Sequence, residues 1–254
     1  LFEHLGVFFR QYFFAMDREE LPFNRAQRGW IARAAKDIDH TIAFGSTKPI
    51  HTPGDILFLN SAFPKLDEET QLSAKTPLCF GEGYAREAYE THSVFHISAM
   101  SYGALSAPAI QALSVGAAKA GILLNTGEGG LAPFHLHGQC DLVFQIGTAK
   151  YGVRNTDGTL SDEKLQEVAS HTSVKMFEIK LSQGAKPGKG GILPAEKVTD
   201  VIASTRGIPV GQDSLSPNRH TDISSVDDLL NMIHRVRQVT GKPVGIKFVL
   251  GQPE

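Results

Sequence analysis

From residue 92 onward, apolar runs of strand length take turns with segments of helical period, and this alternation limits the fold more than any other feature of the chain. Phe95-His96-Ile97-Ser98-Ala99-Met100 reads as a strand. Ser106 then caps a helix of about 107–120, with Pro108 tolerated in its first turn and Gly121 at its end. Ile122-Leu123-Leu124-Asn125 is a second strand, and Leu142 to Gly147 reads as a short extra strand inside a long insertion. Ser161-Asp162-Glu163 opens the next helix with acids placed well for its dipole. Val174 to Leu181 is the third main strand, and Pro194 opens a helix to about Ser204. Over 226–239, Val226, Leu229, Leu230, Ile233, Val236 and Val239 share one helical face behind a capping-box-like start at Ser225 and Asp228. Val244 to Val249 is the fourth main strand. Successive βα units predict a parallel sheet, and apolar strands whose ends carry polar groups predict an α/β fold of the (β/α)8 TIM barrel type, cut to about its first four units. A doubly wound open sheet is the alternative, although Gly127-Glu128-Gly129-Gly130 has the wrong spacing for a dinucleotide fingerprint.

Residues 1–90 have a different texture, and the chain reads as an amino-terminal helical and irregular segment over 1–90 followed by the half barrel over 91–254. Two helices are expected near 4–16 and 24–37, the second capped by Asn24. From Ile42 to Tyr89, Pro and Gly recur too often for long regular elements. The run from Leu5 to Phe14 is rich in aromatics but interrupted by Arg10, which favours packing or docking over a membrane-surface helix. The chain starts at Leu1 and stops just after a strand-like run, as a piece of a longer protein would. A net charge of −2 gives no reason to expect nucleic acid as a partner. Cys79 and Cys140 are too few for a disulfide framework, and they read as core thiols in a reducing, cytoplasmic setting. His135 and His137 read as loop histidines, so no metal site is expected.

Chemistry gathers at four strand ends. At Ala99, Met100 and Ser101, small residues let a flat ring lie against backbone. Asn125 and Glu128 flank Thr126-Gly127, where an amide meets a polar ring edge and a carboxylate meets an ammonium or manages a proton. Lys180 lies in an apolar strand that runs into Ser182-Gln183-Gly184-Ala185-Lys186-Pro187-Gly188-Lys189-Gly190-Gly191. Burying Lys180 is costly without a partner, whereas Lys186 suits a substrate carboxylate. Lys247 lies within Gly245-Ile246-Lys247-Phe248-Val249. At each position a solvated or ordinary loop role stands as the alternative.

Together these stretches resemble the FMN-binding synthase domain of the glutamate synthase family, from about Ile97 to Leu250 and with the motifs in the right order. Residues 1–90 look more like the stand-alone members of that family. The resemblance implies FMN stacked over the strand ends, with Ala99, Met100 and Ser101 along the ring, Asn125 at its polar edge and Lys247 near its electron-accepting end. It implies an oxidoreductase that reduces the 2-imino acid formed from a 2-oxo acid, such as 2-oxoglutarate, and ammonia. Glu128 and Lys180 match catalytic positions, and Gln183 and Lys186 match substrate-binding ones. An external electron donor is implied, and an iron–sulfur cluster would come only from residues beyond this chain. Where the family loop carries Glu and then Gln, this sequence has Lys189 and Ile192, which removes a polar substrate contact. The chain alone is expected to be inactive, with self-association and membrane association through an upstream segment both left open.

Overall fold

A computed structural model describes residues 23–38, 62–63, 77–184, 188 and 190–249. The helix expected near 4–16, the aromatic run to Phe14, and Lys186 and Lys189 lie outside the described residues. The chain divides into two compact units, Leu1–Leu66 and Asp67–Glu254. In the first, helix α1 (Arg25–Ala34) starts as expected at Asn24. The Asn24 side chain accepts from the Gln27 backbone amide at 2.9 Å, and the Gln27 side chain accepts from the Asn24 amide at 2.9 Å. Two of the four orphan donors of the first turn are thereby satisfied.

The second unit begins with an antiparallel pair, β1 (Leu78–Phe80) and β2 (Tyr89–Thr91). Further along come β3 (Leu124–Asn125), β4 (Leu142–Ile146), β5 (Val174–Lys180), a second antiparallel pair β6 (Gly191–Leu193) and β7 (Ser214–Ser216), and β8 (Val244–Lys247). Strands β3, β4, β5 and β8 form one parallel sheet in that spatial order. Because spatial order follows chain order without reversal, the sheet is an arc of a (β/α) barrel and has no switch point of the doubly wound kind. Leu142 to Gly147 is therefore a full member of the sheet, lying between β3 and β5, and not an extra strand in an insertion.

The run from Phe95 to Met100 is hydrogen-bonded alongside β3 but is regular only at a single bridge, Ile97 to Leu124. Val94 and Phe95 are 70% and 79% exposed, so burial favours pairing only for the second half of the run. Helices α2 (Ala107–Ala120), α3 (Pro133–Leu136), α4 (Asp162–Ser170), α5 (Asp200–Arg206) and α6 (Val226–Thr240) fill the connections. The helix expected from Pro194 to Ser204 is two pieces. A 3-10 turn at Ala195–Lys197 ends where Val198 turns inward to pack with Leu193, Ile202 and Ala203, and α5 restarts on the Thr199 cap.

The core stripe of α6 is rotated from the expected one. Val226 and Leu230 are exposed, while Met232 and Val236 are buried and flanked by Leu229, Ile233 and Val239. Of the two cysteines, only Cys140 is a core thiol; Cys79 lies exposed on β1. Among the described residues, no helix is long and apolar enough to cross a membrane.

The sheet has two unlike faces, and this difference positions the site. Leu124, Leu142, Phe144, Ile146, Phe177 and Ile179 are fully buried and pack in the main apolar core. The alternate positions Asn125, Gln145, Glu178, Lys180 and Lys247 belong to the other face, because successive strand residues point to opposite sides.

Candidate functional site

On the polar face, at the carboxyl ends of the strands, the register sets Gln145 beside Glu178 and Lys180 beside Lys247. Above these pairs lies a cavity of about 390 Å3 whose walls include Ala99, Ser101, Glu128, Lys180, Gln183 and Lys247. That volume lies within the usual range for small-molecule sites, roughly 300–1,000 Å3.

Three side chains close a triangle at the cavity. Lys180 Nζ donates to Glu128 Oε2 at 2.9 Å and to Gln183 Oε1 at 3.0 Å, and Gln183 Nε2 donates to Glu128 Oε2 at 2.7 Å. Lys180 thus finds the partner that its apolar strand requires, and both members of the pair keep about a fifth of their side-chain surface exposed to the cavity, 20% and 21%. Gln183 is 6% exposed. Its place follows from backbone pairing, since its amide donates to the Asn218 carbonyl and Ser182 bridges Arg219.

Close approach explains two glycines. Gly127 has φ +68°, and a Cβ there would stand 2.7 Å from the Ser101 amide nitrogen, so the first and second strand ends touch backbone to backbone. Gly147, just past β4, lies against Glu128: a Cβ would stand 2.5 Å from the Glu128 Cβ.

A second polar layer lies beneath. Glu178 Oε1 accepts from Asn125 Nδ2 at 2.8 Å and from Gln145 Nε2 at 2.6 Å, while Asn125 Oδ1 accepts from the Gly127 amide at 2.9 Å. Asn125 therefore holds the Gly127 turn, and its side chain is not among those that line the cavity. Met100 likewise turns its side chain into the main core. Its carbonyl accepts from His135 Nε2 at 2.8 Å, and His135 Nδ1 accepts from the Ala132 amide at 3.1 Å. A backbone amide only donates, so the His135 proton sits on Nε2 and the ring is neutral. Burial pushes the His135 pKa below the usual histidine value, in keeping with that state. His135 is thus a buried strut on α3 and not a loop histidine.

Six of the nine residues expected at the site line this one cavity: Ala99, Ser101, Glu128, Lys180, Gln183 and Lys247. Met100 and Asn125 support it from behind, and Lys186 is outside the described residues. Gln145, Glu178, Thr148 and His220 were not anticipated. Thr148 Oγ1 accepts from Gln183 Nε2 at 3.4 Å and donates to the Pro217 carbonyl, and fully buried His220 donates from Nε2 to the Lys180 carbonyl at 2.9 Å. Gln145 does leave a sequence signal, as the one polar residue of the otherwise apolar β4, whereas Glu178 shares β5 with Lys175 and Lys180 and stands out less. Among the described residues no group of three His, Cys, Asp or Glu is placed to hold a metal ion.

Residues 60–254 match the family described as the conserved region in glutamate synthase. Over the whole chain, 34% of aligned residues are identical to the glutamate synthase large subunit-like protein YerD of Bacillus subtilis, of which the match covers 55%. A large subunit-like protein of Rhizobium meliloti is 31% identical over 93% of this chain and 51% of its own. The archaeal-type glutamate synthase [NADPH] of a Thermotoga species is 42% identical over 59% of this chain and 28% of its own. The chain spans about half the length of the large subunit-like relatives, or less for the archaeal-type one. With well over half of its residues inside the matched region, the chain belongs to the glutamate synthase family.

Proposed function

We propose that this chain carries the flavin site of a glutamate synthase-like oxidoreductase that converts a 2-oxo acid and ammonia into an amino acid. The observation that carries the reading is the Lys180–Glu128–Gln183 triangle, exposed to a cavity at the ends of parallel strands. Ala99, Ser101 and Gly127 give the cavity a wall of small residues, and a Cβ at Gly127 would clash with Ser101 and disrupt that wall. These features fit a flat ring such as that of FMN, with Lys247 on the opposite strand as the cation that favours an electron-rich ring edge. When bound, FMN supplies the hydride that reduces the imine carbon.

The chain's own residues bind and handle protons. Lys180 pairs with the substrate carboxylate or polarises its 2-oxo group, and Gln183 fixes its orientation by donating from Nε2. Glu128, ion-paired with Lys180, relays protons from ammonia to the former carbonyl oxygen: one as nitrogen bonds to the carbonyl carbon, a second as the C–O bond breaks and water leaves. The same carboxyl then passes a proton drawn from solvent to the nitrogen as the carbon is reduced. Electrons reach the site from an external donor, which for the archaeal-type relatives is NADPH by name.

Anaerobic reoxidation tests the reading. The purified native protein, its flavin reduced with dithionite, should recover oxidised-flavin absorbance when 2-oxoglutarate and ammonium are added together and not with either alone. Absence of bound flavin, with no uptake of FMN, would end the proposal. Ile192, 65% exposed on β6 where the family has Gln, favours a second reading: flavin binding without turnover of 2-oxoglutarate. Bound flavin that no 2-oxo acid reoxidises would select it.

A further inference from the structure

His220 is fully buried, and among the described residues its ring makes a single hydrogen bond. Nε2 donates to the Lys180 carbonyl at 2.9 Å, whereas Nδ1 has no partner. Asp222 Oδ1 stands 4.0 Å from Nδ1, beyond hydrogen-bond range, and is held by Lys150 Nζ at 2.9 Å. A carbonyl only accepts, so the proton sits on Nε2 and Nδ1 is a buried, unpaired acceptor. Such an acceptor is costly, and an apolar side chain of similar size would avoid the cost. The bond to Lys180 is what a histidine supplies here and an apolar residue would not. The neighbours of His220 grip the same strand end. The Pro217 carbonyl accepts from Thr148 Oγ1 at 2.6 Å, the Asn218 carbonyl accepts from the Gln183 amide at 3.0 Å, and Arg219 bridges Ser182. Strand β5 needs support at this point. Its register with β4 stops at Ile146 opposite Ile179, one residue before Lys180, and continues to Lys180 only with β8. Just past β4, the space beside Gly147 is taken by Glu128.

We propose that His220 is a positioning residue for Lys180: its ring pins the Lys180 backbone where pairing with β4 has ended, and so aims the ammonium into the site. The proposal rests on the role given to Lys180 above. Lys180 Nζ meets two acceptors at once, Glu128 Oε2 at 2.9 Å and Gln183 Oε1 at 3.0 Å, so a small shift of the strand end disturbs both bonds. Gln183 is fixed from the same segment through Asn218, which keeps the two side chains in one frame. His220 is not among the residues that line the cavity, so it acts through Lys180 and touches no substrate. Burial keeps its pKa below the usual histidine value, in keeping with a neutral ring that donates from Nε2.

The test reads the Lys180 amine directly and depends on neither turnover nor substrate. The native protein is partially acetylated with acetic anhydride, and the extent at each lysine is read from its peptides by mass spectrometry. Lys242 is the control: it is 7% exposed and its Nζ donates to the Val174 carbonyl at the opposite end of β5, so general loosening of the fold would expose it too. In His220→Leu, acetylation of Lys180 should rise about fivefold, the factor that one lost hydrogen bond carries, while Lys242 stays at its wild-type extent. His220→Gln, whose amide nitrogen can take the place of Nε2, should bring Lys180 back near the wild-type extent. His220→Asn, whose shorter amide falls short of the carbonyl, replaces the Leu variant if that one does not fold. An unchanged Lys180 in the variant that lacks the bond, an equal rise at Lys180 and Lys242, or no rescue by Gln would overturn the proposal. Each of these outcomes leaves the flavin reading standing, and a protein that binds no flavin leaves this one standing.

Discussion

At the scale of single residues, the site is built on close approach as much as on charge. Gly147 has no room for a methyl group against Glu128. Gly147→Ala should displace Glu128 and cost about 1–3 kcal/mol of stability, read from urea unfolding, with a larger proportional loss of turnover. A variant with wild-type stability and turnover would contradict the packing described. The buried histidines set a second expectation. Burial lowers the pKa of His135 and His220 below 6.5. As pH falls below 6.5 the unfolded chain binds protons before the folded one does, so stability declines until the folded pKa values are passed. Each such group contributes up to about 1.4 kcal/mol per pH unit in that window. Unfolding midpoints should therefore drop between pH 7 and 5, and His135→Gln should flatten the slope. An equal slope in that variant would show that His135 is not held neutral. The carboxylates of Asp157, Glu163 and Asp228, lowered by hydrogen bonds, act in a separate window below about their ordinary values of 3.8–4.5.

At the scale of elements, period and caps were legible, while partnership was not. Asn24, Gly121, Ser161 and Ser225 bound helices where the sequence puts them, because caps act through neighbours in the chain, whereas Ser106 stands at the expected N-cap position without a side-chain cap bond. The break at Val198 was not legible, because it depends on Leu193, Ile202 and Ala203 arriving from elsewhere to bury that side chain. The α6 stripe shows the same limit. Periodicity selects a face but cannot tell which edge of that face meets α4 and the sheet, so exposed Val226 stood in for buried Met232. Met232→Ala should cost about 2–4 kcal/mol and Val226→Ala under about 1 kcal/mol. Comparable costs, measured by thermal unfolding, would contradict the observed burial. The membership of Leu142–Ile146 in the sheet was misread for a related reason: a lone apolar run says nothing of its neighbours, and only pairing with both β3 and β5 makes it central.

At the scale of the whole molecule, chain-order pairing of parallel strands turns one sheet face into core and leaves the other to carry polar side chains. The cavity-lining residues read from sequence were those at strand ends within glycine-rich turns. Gln145, which itself lines the cavity, and the supporting Glu178, Thr148 and His220 escaped because their roles are set by register and by the segment from Ser214 to Asp222, which no local pattern ties to the site. Lys180→Met removes the cation shared by Glu128 and Gln183, and turnover should fall by at least about a hundredfold. Retained turnover would remove Lys180 from the chemistry.

The central claim is that one flat redox ring rests in the cavity between Ala99 and Lys247, and visible absorbance of the purified native protein tests it most directly. The wild type should hold stoichiometric FMN. Ala99→Trp, which fills the cavity wall, should lose it, while Val201→Trp, on the outward helix α5, should keep it. A wild-type protein without flavin, or equal retention in both variants, would contradict the account.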